Sequence, residues 1–159
     1  ATFQGELYRA TVGRHASDVQ VVEQVCIGLA DLVEAGDLEG PACDALLQRF
    51  LEPMLAAGAD TIVLGCTHYP FVIEAIRRLV GPGLAVLDPA PAVARHLGHV
   101  LRQRGLARLD AADGGYAFFT TADPVSFDRS VARLVGSVCS SSPLRWQHSG
   151  EQGPRLIGL

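Results

Sequence analysis

The residues best placed to do chemistry are Cys66, Thr67 and His68. They follow an apolar run, Thr61-Ile-Val-Leu, that stops at Gly65; Pro70 then opens a helical stretch, Pro70 to Val80. A short strand feeding a helix through a Gly turn sets a thiol at the carboxyl end of a sheet, the edge where open α/β sheets bind ligands. The helix start offers free backbone N–H groups and a partial positive charge. Both favour a thiolate and an anionic substrate. The segment reads as a carboxylate-binding site with a reactive cysteine; an inert, packed cysteine is the competing reading. For His68, a zinc site would need about four ligands, and no other Cys/His cluster stands nearby in the sequence. General acid/base support beside the thiol is the more economical role.

The elements that must position these residues alternate between strand and helix. Val19 to Val25 alternates and is β-branched, which predicts a strand. Ile27 to Ala35 reads as a short helix closed by Gly36. Ala42 to Ala57 carries apolar residues at helical spacing, with Pro53 inside the pattern as a potential kink. A strand at 60–65, the helix at 70–80 and a strand at Leu84–Asp88 follow. Pro91 to Arg104 is a helix with Pro at its start. Tyr116 to Thr121 is a last strand and Pro124 to Val135 a last helix. Strands alternating with helices imply an α/β fold, a parallel sheet flanked by helices. Ala1-Thr2 looks like the stub of a strand, as though a unit began in its middle. Residues 137–159, with Ser-Ser-Ser, Pro and Gly, read as a loosely ordered tail.

Composition narrows the function classes. The 159 residues are 48% hydrophobic and 19% charged, with a net charge of −4. The 13 basic residues are scattered and all are Arg, which speaks against nucleic acid as the main partner. Without Lys, neither a Schiff-base lysine nor a P-loop lysine can come from this chain. No apolar stretch approaches the roughly 20 residues that span a bilayer. Ala1 to Glu6 lacks the look of a signal peptide, so a cytoplasmic location is the default expectation. Cysteines at 26, 43, 66 and 139 show no C-x-x-C spacing, so neither a zinc ribbon nor a redox pair is expected. Cys26 and Cys43 read as packing cysteines and Cys139 as an incidental thiol of the tail. His96 and His99 share a helix face but make a poor metal site alone. Asp88, before Pro89, is either a ligand-edge carboxylate or a turn residue.

Several segments resemble the bacterial glutamate racemases, of the aspartate/glutamate racemase family. Gly65-Cys-Thr-His-Tyr-Pro70, preceded by Gly58-Ala-Asp-Thr-Ile-Val-Leu64, is similar to that family's second catalytic motif. Ala1 to Tyr8, Cys26 to Gly36, Leu87 to Arg95 and Phe118 to Pro124 resemble its second-half segments in order and spacing. The resemblance covers roughly residues 1–136. It implies one domain of a two-domain fold: residues 1–90 the second α/β domain, and 91–136 a helix-strand-helix segment packing on the first domain.

The resemblance also implies a function: cofactor-independent interconversion of L- and D-glutamate by two thiols, supplying D-glutamate for peptidoglycan. One thiolate would remove the α-proton and the other thiol would reprotonate the opposite face. The catalytic residues implied are Cys66, His68 and Glu34; Thr67 and His68 would contact substrate. Partners would be glutamate, with neither nucleic acid nor membrane, and a homodimer as an open option. The family's first-half motifs, an early Asp-Ser pair and a Cys-Asn-Thr strand end, are absent from this sequence. The chain is therefore expected to be a C-terminal portion, inactive alone. The alternatives are a non-catalytic α/β remnant that binds a carboxylate or a partner, and a related aspartate or hydantoin racemase.

Overall fold

A computed structural model describes residues 2–108, 114–148 and 154–158. These form two compact units, Ala1–Pro91 and Ala92–Leu159. In the first unit a 3-10 turn at Thr2–Gln4 leads into helix α1 (Glu6–His15). It is followed by α2 (Leu29–Ala35), α3 (Pro41–Ala56), strand β1 (Thr61–Val63), α4 (Ile73–Val80) and β2 (Ala85–Leu87). The core is built where helical and strand periodicities coincide. In α3 the buried residues are Cys43, Leu47, Phe50 and Leu51, the i, i+4, i+7, i+8 stripe of an amphipathic helix. Pro41 occupies the first turn, where its missing N–H costs nothing. Pro53 does not end the helix, which runs on to Ala56.

β1 and β2 pair in parallel, with Thr61 opposite Ala85, Ile62 opposite Val86 and Val63 opposite Leu87. Parallel neighbours need a crossover, and α4 supplies it. Ile62 and Val86 face the core, while Val63 and Leu87 point outward. One further ladder bond, from the Leu64 N–H to the Leu87 carbonyl at 3.0 Å, carries the strand to the edge of Gly65. The parallel sheet flanked by helices agrees with the fold class expected from the sequence.

Two expectations for this unit change. Val19–Val25 forms no strand: it has no ladder partner among the described residues, and Val19, Val21, Val22 and Val25 are exposed. Alternation marks a surface that suits a sheet, but only a neighbouring strand makes one. Second, Thr2–Gln4 is a 3-10 turn rather than the end of a strand, and helix α1 follows it; Ala1 lies outside the described residues.

The second unit holds most of α5 (Ala90–Gln103), then β3 (Phe119–Thr120), α6 (Pro124–Val135), β4 (Ser142–His148) and β5 (Pro154–Gly158). Asp123 caps α6 by accepting the Ser126 N–H at 2.8 Å. Of the strand expected at 116–121 only Phe119 and Thr120 join a ladder, parallel to Ser142 and Pro143. Residues 137–159, read from sequence as a loose tail, contain β4 and β5, which pair antiparallel with Trp146 opposite Leu156. Asp128 fastens the segment before β4, accepting the Ser141 N–H at 3.0 Å and the Cys139 thiol at 3.4 Å. Among the described residues, no helix is long and apolar enough to cross a membrane.

Candidate active site

Cys66 stands just past β1, after Leu64 has made the last ladder bond and Gly65 has left the sheet. The chain then turns tightly. The Tyr69 N–H donates to the Cys66 carbonyl at 3.3 Å, and the Phe71 N–H to the His68 carbonyl at 3.2 Å. A 3-10 turn, Tyr69–Val72, bridges into α4. Pro70 fits this first turn because it has no N–H to satisfy. Val72 is buried and pins the turn to the core. The helix expected at 70–80 thus has a 3-10 first turn.

The side chains of the turn meet one from α2. Cys66 Sγ lies 3.8 Å from His68 Nδ1, and His68 Nε2 lies 2.8 Å from Glu34 Oε1. Glu34 is delivered by a seven-residue helix bounded by Gly28 and Gly36, both in the left-handed region at φ 85° and 81°. That conformation suits Gly because it has no Cβ to clash, and at Gly36 it stops the helix just beyond Glu34. The Glu34 carboxylate and the Cys66 sulfur raise the His68 pKa above its ordinary value, against a smaller opposing effect of burial. Partial burial pushes the Cys66 thiol up. The backbone N–H and imidazole of His68 and the backbone N–H of Tyr69 outweigh it, so the net shift is downward. The arrangement therefore favours a thiolate beside an imidazolium, with a carboxylate holding the ring. Such a thiolate can accept a proton, and the resulting thiol can return it.

The structure brings together Cys66, His68 and Glu34; Thr67 lies exposed within the same turn. Sequence reasoning missed Tyr69, whose N–H closes the turn on the Cys66 carbonyl. Burial and the neighbouring Cys26 and Cys66 sulfurs push the Tyr69 phenol up to about 12, and the Cys26 thiol donates to the Gln24 carbonyl at 3.9 Å. The adjacency of Tyr69 to His68 was the available signal. Cys43 is buried in α3 and donates to the Leu38 carbonyl at 3.4 Å. Cys139 is half-buried on Asp128. His96 and His99 are exposed on α5, and no group of three potential metal ligands occurs among the described residues. Asp88 accepts the Ala90 N–H at 2.9 Å, the geometry of a turn residue. A shallow cavity of about 500 Å³ near Leu51, Leu55 and Leu79 shares no residue with the Cys66 cluster.

Residues 1–97 match the Asp/Glu/Hydantoin racemase family. The chain belongs to this family. Glu34, Cys66 and His68 all lie inside the stretch that matches the racemases. The chain is 42% identical over 135 residues to a glutamate racemase of Roseiflexus sp. (strain RS-1), covering 84% of this chain and 50% of that relative. Its fold resembles a glutamate racemase isoform of Bacillus anthracis with a TM-score of 0.80 at 25% identity, over 91% of this chain and 54% of that one. It also resembles the glutamate racemase of Francisella tularensis solved in complex with D-glutamate, with a TM-score of 0.74 at 20% identity, over 87% of this chain and 51% of that one. The chain spans about half the length of the curated relatives it matches.

Proposed function

We propose that this chain supplies one of the two thiols of a cofactor-independent glutamate racemase. The observation that carries the reading is the Cys66–His68–Glu34 line at the carboxyl end of β1, with 3.8 Å and 2.8 Å between successive partners. The names of the relatives favour glutamate over aspartate or hydantoin substrates. In one direction the Cys66 thiolate takes the α-proton of glutamate and becomes a thiol. The electron pair stays on the α-carbon until an opposing thiol, outside the described site, returns a proton to the other face. In the reverse direction Cys66 donates the proton, and the two thiols exchange roles. His68 holds the Cys66 thiolate and accepts or releases charge as it forms. Glu34 orients the imidazole. Thr67, exposed beside Cys66, contacts the substrate. Residues 91–136 pack on the domain that carries the other thiol. The protein works in the cytoplasm, provides D-glutamate for peptidoglycan, and a homodimer is compatible with this role.

The reaction is tested by following D-glutamate formation from L-glutamate in deuterated water, by circular dichroism and α-deuterium incorporation. The 159-residue chain alone should be inactive. Co-expression with the first half of a related glutamate racemase should restore turnover with deuterium incorporation. A reconstituted protein that binds glutamate but never exchanges its α-proton would favour the second reading, a carboxylate-binding remnant. That reading draws on the presence of a single thiol, Cys66, at a strand end among the described residues.

A further inference from the structure

The site at Cys66 uses no residue of β4 or β5, yet this hairpin has two unlike faces. Successive strand residues point to opposite sides. Trp146 and its ladder partner Leu156 therefore share one face with Leu144, while Arg145, Gln147 and Arg155 share the other with Ile157. An apolar face backed by a polar one is the pattern of a sheet that buries one side and leaves the other in water. Here the apolar side is open: Trp146 is 53% exposed and Leu156 46%. Directly opposite residues of antiparallel strands lie about 4.5–5.5 Å apart, so the two side chains form one continuous patch. Contiguous apolar patches mark contact surfaces.

The relatives indicate what covers it. The Bacillus anthracis racemase fold matches 91% of this chain, too large a share to leave 142–158 wholly outside, and that match takes up only 54% of the racemase. A protein that shares this part of the fold thus carries a comparable length of further polypeptide. The hairpin is also continuous with the segment read above as packing on that other half. β4 pairs with β3, and Asp128 of α6 holds the Ser141 N–H just ahead of β4.

We propose that the Trp146–Leu156 face docks on the half of the racemase that carries the opposing thiol. This docking presupposes the two-thiol role of the chain, but it is measured without turnover.

Trp146 is the chain's only tryptophan, so its fluorescence reads the face directly. The 159-residue chain is co-expressed with the first half of the Roseiflexus glutamate racemase, every tryptophan of that half being changed to phenylalanine. In the purified complex Trp146 emission should shift to the blue. Its quenching by iodide should fall about twofold or more, as the open part of the ring is shielded from water. Leu156→Lys should cut recovery of the complex about tenfold, the loss expected at a covered anchor. Arg145→Gln, on the opposite face, should stay within about twofold of the parent. Circular dichroism checks the fold of Leu156→Lys; if that variant is unfolded, the iodide quenching of the parent complex decides alone. Failure of the parent to form a complex, unchanged quenching within it, or equal losses in the two variants would overturn the proposal. So would a chain that shields Trp146 by itself as concentration rises and dimers sediment, which assigns the face to a second copy. A complex that shields Trp146 but never exchanges the α-proton of glutamate would uphold the docking and overturn only the proposed reaction.

Discussion

Glu34 and His68 stand 34 residues apart in the chain and 2.8 Å apart in space. The bond fixes the ring whose other nitrogen faces Cys66, and it holds the His68 pKa above its ordinary value of 6.5. Glu34→Gln should bring the His68 midpoint down in an NMR titration of the ring protons. Because the folded-state value is the raised one, the pair's stabilisation is complete below about pH 6.5 and is lost as pH rises through the folded-state midpoint. With side chains 32% and 54% exposed, its size should be roughly 0.2–1 kcal/mol, as for other solvent-screened pairs. An unchanged midpoint in Glu34→Gln would contradict this assignment.

Cys66→Ala should abolish racemisation in the reconstituted enzyme, because one face of the α-carbon loses its proton carrier. Cys43→Ala should leave turnover nearly intact, since that thiol is sealed in the core on the Leu38 carbonyl. Comparable losses in both variants would refute the assignment of Cys66.

His68→Asn should lower kcat by roughly 10²–10⁴-fold while changing KM less, the range for loss of acid/base assistance. Because the two enantiomers are equally stable, kcat/KM should fall by the same factor in the two directions. Small effects both ways would remove His68 from the chemistry.

Gly36→Ala places a side chain at φ 81°, the left-handed region that L-residues adopt only at a backbone cost. Urea unfolding should show a loss of about 1–2 kcal/mol. Leu47→Ala, at a site 2% exposed in α3, should cost about 2–5 kcal/mol. By contrast, Leu7→Ala, at 82% exposure, should stay within about 0.5 kcal/mol.

The parts of the fold legible in the sequence were those whose pattern is local. The Leu47/Phe50/Leu51 stripe, the apolar runs of β1 and β2, and Pro124 at the start of α6 each mark their element within a few residues. What failed depends on partners far along the chain. Val19–Val25 has a strand's alternation and no strand beside it, whereas Trp146 and Leu156 find each other across a gap that residue pattern does not announce. The site divides in the same way. Cys66, Thr67 and His68 could be picked out because they are consecutive at the end of an apolar run. Glu34 entered only through the family resemblance, because it lies 34 residues from His68 in the chain.

The groups that tune the Cys66 sulfur, from Glu34 to Tyr69, all belong to the unit Ala1–Pro91. Under the proposed function, reactivity and handedness are thus separable properties. How readily the sulfur gives and takes a proton is set locally, by a turn and one short helix. In the proposed reaction, exchange between mirror images requires in addition whatever stands across from that sulfur. A small electrophile would sense only the first property, whereas a chiral substrate would sense both.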